Sequence, residues 1–342
     1  MADTSKIEWT DATWNVVTGC EKVSSGCDNC YAETFAERWR GIPGHHFENG
    51  FDVTLRPERL TIPLRWRKPK RVFVNSMSDL FHKDIPDEYI ARVWAVMALT
   101  PQHTYQILTK RHGRMRALLS SSEFRLLCEQ EQAVLVNDDA TPLARYEREQ
   151  KTSQWWSDIA QPLRNVWVGV SVEDQKSADL RIPALVDTPA AVRFLSCEPL
   201  LGPVWISDYI WQACPCCDGE GHDEACARCA DGHCDSGHIR KLDWVIVGGE
   251  SGRNARPMAP QWATSLRDQC KQSHVPYFFK QWGEYAPTGY LVIGGTSKGA
   301  LLAGEPVDDL GHRVELARVG KRKAGRELDG RTWDEFPKVA AA

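Results

Sequence analysis

The sequence predicts an α/β fold, a partial or complete (β/α) barrel, on three observations. Seven short apolar, β-branched or aromatic runs recur along the 342 residues. Segments with a period near 3.6 lie between them. The runs are apolar throughout rather than alternating, as strands buried on both faces of a parallel sheet require.

The strand candidates, in order, are residues 13–19, 71–77, 104–110, 165–172, 191–197, 243–249 and 275–282. Each is a Val-, Ile-, Phe-, Tyr- or Trp-rich run bounded by polar or turn residues. The clearest helix candidates are 30–39, 87–99, 112–119 and 260–272. Asp87 and Pro260 stand where helix starts favour them. Strand–helix alternation predicts βαβ units, and seven strands favour a barrel over a doubly wound sheet.

Two stretches break the rhythm. Residues 120–162 are polar and helix-prone and read as a helical insertion. Residues 212–240 are rich in Cys, Gly, His and Asp and read as a small metal-binding insertion. The expected organisation is a barrel over 1–285, interrupted at those two places, with a C-terminal extension over 286–342. That extension is Gly-rich, then basic, and is expected to pack back loosely through Trp333 and Phe336.

Composition narrows the function. Hydrophobic residues make up 42% and charged residues 26%, as in a globular domain. No apolar run is long enough to span a membrane, and the first residues lack a secretory h-region. A cytoplasmic protein without a membrane partner is expected; oligomeric state is not legible. A net charge of −4 excludes a chain that is basic throughout. Arg65, Arg67, Lys68, Lys70 and Arg71 form one local basic stretch, either solvated or a binding patch. The 14 tryptophans read chiefly as core, with base stacking as the alternative.

The 12 cysteines are mostly clustered, and clustered cysteines in a reducing compartment more often bind metal than pair. Cys20, Cys27 and Cys30 follow a predicted strand and run into a predicted helix. Three thiolates there can hold a [4Fe–4S] cluster and leave one iron open; the open position follows the logic of catalytic metal sites. Gly19 and Gly26 permit a tight turn around it. The alternatives are zinc, with His45 or His46 as fourth ligand, and three buried inert thiols.

The second cluster has Cys214-x2-Cys217 and Cys226-x2-Cys229, a strong signature of structural zinc, Zn(2+). Cys216, Cys234, His222, His233 and His238 are further potential ligands, and a second iron–sulfur cluster is the rival reading. Asp218, Glu220, Asp223, Glu224, Asp231 and Asp235 argue against phosphate binding there.

In a (β/α) barrel the site lies at the C-terminal ends of strands. Those ends carry Asn75, Ser76, Ser78 and Asp79, then Thr109, Lys110 and Arg111, then Ser171 and Glu173. Ser196, Cys197 and Glu198 follow, then Gly248, Gly249, Glu250 and Ser251, then Lys280 and Gln281. Glu173, Glu198, Glu250 and Lys280 are the catalytic candidates, the three glutamates for ribose hydroxyls, an amine or a substrate proton. Lys110, Arg111 and Lys280 suit a carboxylate or phosphate. The rival for each is an ion pair on the rim, and for Cys197 an inert buried thiol.

The segments WNVVTGC, GCDNCYAE, VFVNSMSDLFH, ILTKR, VWVGVSVED, RFLSCEPLLGPV, WVIVGGESG, ARPM, FFKQWGE and LDGRTWDEFP run from residue 14 to residue 337. Through them the chain resembles the radical S-adenosylmethionine superfamily, and more closely a phage and bacterial family of radical-SAM-like proteins with a three-cysteine motif. Its C-x6-C-x2-C spacing departs from the commoner C-x3-C-x2-C. The resemblance implies a barrel of the radical-SAM type and a [4Fe–4S] cluster on Cys20, Cys27 and Cys30, with S-adenosylmethionine on its free iron. With that cofactor, the chemistry of the strand ends makes Ser78, Asp79, Lys110, Gly248 and Gly249 the cofactor-binding candidates: Ser78 and Asp79 for the ammonium group, the glycine turn for the adenosyl or ribose part. The resemblance implies a reductant such as flavodoxin or ferredoxin. It also implies an isomerase-like reaction on an amino-acid-substituted thymine of phage DNA, with the base out of the stack and the host cytoplasm as location. The rival functions are a zinc-binding adaptor or nucleic-acid-binding protein, and a Mg²⁺-dependent nuclease or lyase.

Overall fold

The computed structural model describes residues 5–137, 162–213, 222–225, 233–234, 238–293, 296 and 299–338. These form a mixed α/β fold with seven parallel strands, in line with the partial-barrel expectation. The chain divides into two compact units. One holds the residues up to Val170 with Asp187–Val192, and the other holds Ser171–Val186 and the residues from Arg193 onward.

The first unit carries β1 (Ala12–Trp14), β2 (Arg71–Val74), β3 (Thr104–Thr109) and β4 (Val166–Ser171, whose last residue falls in the second unit). Each pairs in parallel with the next, with Trp14 opposite Val74, Val74 opposite Ile107 and Ile107 opposite Val168. Helical segments follow each strand: α1 (Tyr31–Ala36) after β1, α2 (Asp87–Ala98) after β2, then α3 (His112–Leu119) and α4 (Ser122–Asn137) after β3. All six residues of β4 are buried, as its unbroken apolar run requires. In α2, Ile90, Val93 and Met97 recur at helical spacing and are buried, while Asp87 and Glu88 sit in the first turn, where the helix dipole favours acids. Trp94 of α2 meets Phe124 of α4 edge-on, and Arg92 pairs with Glu131 at 2.5 Å. The expected helical insertion is helix over Ser122–Asn137, and residues 138–161 lie outside the described residues.

The second unit carries α5 (Gln175–Val186), β5 (Val192–Cys197, whose first residue belongs to the first unit), β6 (Trp244–Gly248), α6 (Pro260–Gln272) and β7 (Tyr277–Gln281). β6 pairs in parallel with both β5 and β7. The helix α5 has no counterpart in the sequence reading, because Pro183 lies inside it. Ala178, Ile182 and Leu185 are nevertheless fully buried, and their packing outweighs the lost hydrogen bond. Within 211–240 the described backbone forms two short antiparallel pairs, Trp211–Ala213 with His238–Arg240 and His222–Ala225 with His233–Cys234.

Residues after Trp282 are not a loose tail. Tyr285–Val292, Ala300–Leu302 and Arg313–Arg318 form a three-stranded antiparallel sheet. Farther on, the chain runs along β7. Phe279 N donates to Trp333 O, Trp244 Nε1 donates to Glu335 O, and Phe336 lies 5.0 Å from the Trp244 ring and 5.5 Å from Phe278. Trp9, Trp14, Trp167, Trp244, Trp282 and Trp333 are all buried, which follows the core reading; Trp205 is exposed.

Candidate functional site

In the first unit the ends of β1 and β2 are tied by two asparagines. Asn75 Oδ1 accepts from Val16 N and Val17 N, and Asn15 Oδ1 accepts from Met77 N and Ser76 Oγ. Gly19 then turns the chain at φ +88°, and a Cβ there would stand 2.2 Å from Asp52 O, so only glycine fits. Cys20 follows, with its N–H donating to Phe51 O. Cys27 closes a single 3-10 turn, Ser25–Cys27, and Cys30 is the residue before α1. All three thiols are half-buried and unpaired by disulfide.

Beside them lies a web built on Asp79, which is 6% exposed. Its Oδ1 accepts from Phe81 N at 3.0 Å and Thr109 Oγ1 at 2.7 Å, and its Oδ2 accepts from Lys110 N at 3.0 Å. Arg111 Nη1 reaches Asp79 Oδ2 at 3.3 Å and Cys20 Sγ at 3.3 Å, while Nη2 donates to Glu21 O at 3.2 Å. Arg111 N donates to Thr109 Oγ1, which closes the ring of contacts. Ser78 Oγ donates to Val17 O at 2.9 Å. The side chains expected to meet an ammonium group, Ser78 and Asp79, are thus engaged within the protein. Burial pushes the Cys20 thiol up to about 11, with Asp79 adding to the rise and Arg111 opposing it. An open cavity of about 300 Å³ adjoins Cys20, lined also by Glu21, Phe51, Asp52, Val53 and Asp84.

Three thiolates are donors that either zinc or an iron–sulfur cluster accepts. A tetrahedral zinc with bonds of about 2.3 Å draws its sulfurs to within ~4 Å of one another. Among the described residues, the group of three potential ligands whose atoms all lie within 4.8 Å is Glu21, His82 and Asp84, not the three thiols. Three thiolates in one loop can also serve as ligands of three different irons. The two histidines considered as a fourth zinc ligand are engaged elsewhere: His45 stacks on Trp39 at 4.3 Å, and His46 lies 3.3 Å from Arg59 Nη2. Nor are Glu21, His82 and Asp84 a ready cation site. Lys83 already pairs with Glu21 at 3.0 Å, and Asp84 N donates to His82 Nδ1, which leaves the neutral ring's proton on Nε2.

In the second unit the four acid–base candidates separate into two kinds. Glu173 is 1% exposed and pairs with Arg181 at 2.8 Å; that guanidinium also donates to Ser171 O. Glu250 is gripped by Arg256, which donates Nη2 to Oε1 and both Nε and its backbone N–H to Oε2. Glu198 and Lys280, at the ends of β5 and β7, hold each other at 2.6 and 2.9 Å and remain partly exposed. Gln281 Nε2 lies 3.4 Å from Glu198 and 3.3 Å from Gly249 O. Gly248 faces the Glu198 side chain, and Gly249 packs so tightly that a Cβ would stand 1.9 Å from Trp282 O. Cys197 is fully buried and its thiol is pushed well up by burial, which favours the inert reading. Arg181 and Arg256 were absent from the sequence-derived set, since neither stands at a strand end. In the basic stretch, Lys70 sits over the Trp66 ring and Arg71 pairs with Asp11. Cys214, Cys217, Cys226 and Cys229 lie outside the described residues.

The family described as "Protein of unknown function (DUF5131)" matches residues 4–337, and the chain belongs to it. No curated protein and no solved structure matches the chain.

Proposed function

We propose that this chain is a radical S-adenosylmethionine enzyme, with Cys20, Cys27 and Cys30 as ligands of a [4Fe–4S] cluster. The observation that carries the reading is three half-buried free thiols in one loop at the end of a parallel strand, with an open cavity beside Cys20. Bound there, such a cluster supplies the electron that splits S-adenosylmethionine to a 5′-deoxyadenosyl radical. The protein's own part is positional. Gly19 admits the turn that presents Cys20, and the Asn15 and Asn75 ties hold the strand ends from which the loop departs. The cavity beside Cys20 offers room for part of a small ligand.

In the second unit the Glu198–Lys280 pair is the best-placed acid–base couple, because Glu173 and Glu250 are bound up with arginines. Lys280 can exchange Glu198 for the carboxylate of a substrate, and Glu198 can exchange Lys280 for a substrate ammonium. This fits the amino-acid-substituted thymine of phage DNA that the resemblance suggests, and that resemblance alone supports the substrate. The four cysteines at 214, 217, 226 and 229 are proposed as a structural zinc site, and flavodoxin or ferredoxin as the electron source. Among the described residues, no helix is long and apolar enough to cross a membrane.

Anaerobic purification with iron and sulfide reconstitution tests the reading. The expected protein is brown and carries about four irons at this site. It shows an electron paramagnetic resonance signal that changes on adding S-adenosylmethionine, and it forms 5′-deoxyadenosine with dithionite. Cys27→Ser loses all four properties. A colourless protein that takes zinc at Cys20, Cys27 and Cys30 under the same treatment refutes it.

A further inference from the structure

We infer that Arg111 is a positioning residue that sets the reduction potential of the iron–sulfur site, with Asp79 as the strut that aims it. This rests on the reading that Cys20, Cys27 and Cys30 hold iron. The contact at issue is the 3.3 Å approach of Arg111 Nη1 to Cys20 Sγ.

Three features make that contact a built one. The guanidinium is largely withdrawn from solvent, with 13% of the side chain exposed, and arginine does not lose its charge in proteins. Its direction is set at two other points, Asp79 Oδ2 and Glu21 O, so the plane of the fork cannot swing without breaking both. Asp79 is itself fixed by two backbone N–H groups and the Thr109 hydroxyl, and so acts as a rigid support for the cation. The residues come from three separate loops, after β1, β2 and β3, and converge on one sulfur.

A thiolate bound to iron keeps lone pairs that accept hydrogen bonds, and such bonds are among the levers that set cluster potentials. One-electron reduction adds negative charge to the cluster and its sulfurs. A fixed N–H donor with its positive end toward Cys20 therefore stabilises the reduced form more than the oxidised form. The Arg–Asp pair is neutral as a unit but oriented, and its cationic end faces the sulfur. Arg111 thus makes the site easier to reduce. It also anchors the Glu21 carbonyl, which fixes the loop just after the first ligand.

The test is a potentiometric titration of the reconstituted full-length protein, read on the iron-loaded fraction, with Arg111→Gln and Arg111→Met as neutral variants. Both should favour the oxidised form about tenfold more than wild type does at the same applied potential. For a one-electron couple that is a shift of about 59 mV to more negative potential. Arg111→Lys, which keeps the charge without the fork, should fall between. A loaded neutral variant whose potential is unchanged or less negative overturns the assignment, whatever its iron content. Failure of both neutral variants to load, with wild-type circular dichroism, makes Arg111 an assembly residue only and overturns it too. A wild-type protein that takes up no iron points instead to failure of the proposed function.

Discussion

Arg181→Met is the sharpest test of how the second unit is held together. The substitution keeps most of the side-chain volume but removes the guanidinium that pairs with Glu173. At the 2.8 Å separation of Arg181 Nη1 and Glu173 Oε2, the gross attraction is about 6 kcal/mol at an effective dielectric of ~20. Desolvation of both ions offsets much of that, so the intact pair contributes little net stability. The single variant is a different case, because it takes a charged partner away from a carboxylate that is 1% exposed. Breaking such a pair costs about 3–5 kcal/mol. Loss of the donor to Ser171 O adds roughly 1 kcal/mol. The sum, about 4–6 kcal/mol, rivals the whole stability of an ordinary domain. Urea unfolding followed by tryptophan fluorescence should show the midpoint falling by roughly 2–3 M, with a slope of ~2 kcal/mol/M. The double variant Arg181→Met with Glu173→Leu should recover all but about 1–2 kcal/mol, since apolar replacement of a buried pair is often neutral. A single variant that loses less than about 1 kcal/mol, or a double variant as unstable as the single, would show that the pair is not desolvated as described.

Other outcomes follow from geometry already given. Gly249→Ala should lose about 2–3 kcal/mol in urea unfolding, because its Cβ would meet backbone at 1.9 Å, whereas Gly248→Ala, whose nearest neighbour is at 3.4 Å, should lose under ~1 kcal/mol. His46 provides a pH signature. Burial, then the charges of Arg59 and Arg56, hold its pKa down to about 4 from an ordinary 6.5. Between those values the unfolded chain binds the additional proton, so stability falls as pH drops from 6.5 toward 4. In His46→Gln the urea midpoint should decline less over that interval; an identical decline would exclude His46 as a contributor.

The strands were readable because their apolar runs are buried on both faces, and such runs stand out without any knowledge of neighbours. The helices over 112–119 and 260–272 were readable to the residue, since periodicity and end signals agree there. The helix Gln175–Val186 was not. Its charged residues and Pro183 argue locally against a helix, and only tertiary burial of Ala178, Ile182 and Leu185 reverses that. The three-stranded sheet after Trp282 was hidden for a related reason: its segments carry Gly, Pro and charge, and apolar residues in them, Leu291 and Leu301, are exposed. At the site, residue types were legible and partnerships were not. Cys20 and Arg111 stand 91 positions apart, as do Trp244 and Glu335, and no local pattern announces such a meeting. The same holds for Glu173, whose arginine lies in the helix that the sequence concealed.

The segment carrying Trp333 and Phe336 has a bearing on how this protein is made. β7 is the outermost of the parallel strands of its unit, and its free flank is met by Asp334, which bridges to Phe278. That flank is translated well before the residues that cover it. A nascent or truncated chain ending between Gln281 and Trp333 therefore presents an uncovered row of backbone donors and acceptors, flanked by Tyr277 and Phe279, to any other strand nearby. By covering that edge, the short closing segment removes a site where another strand could pair.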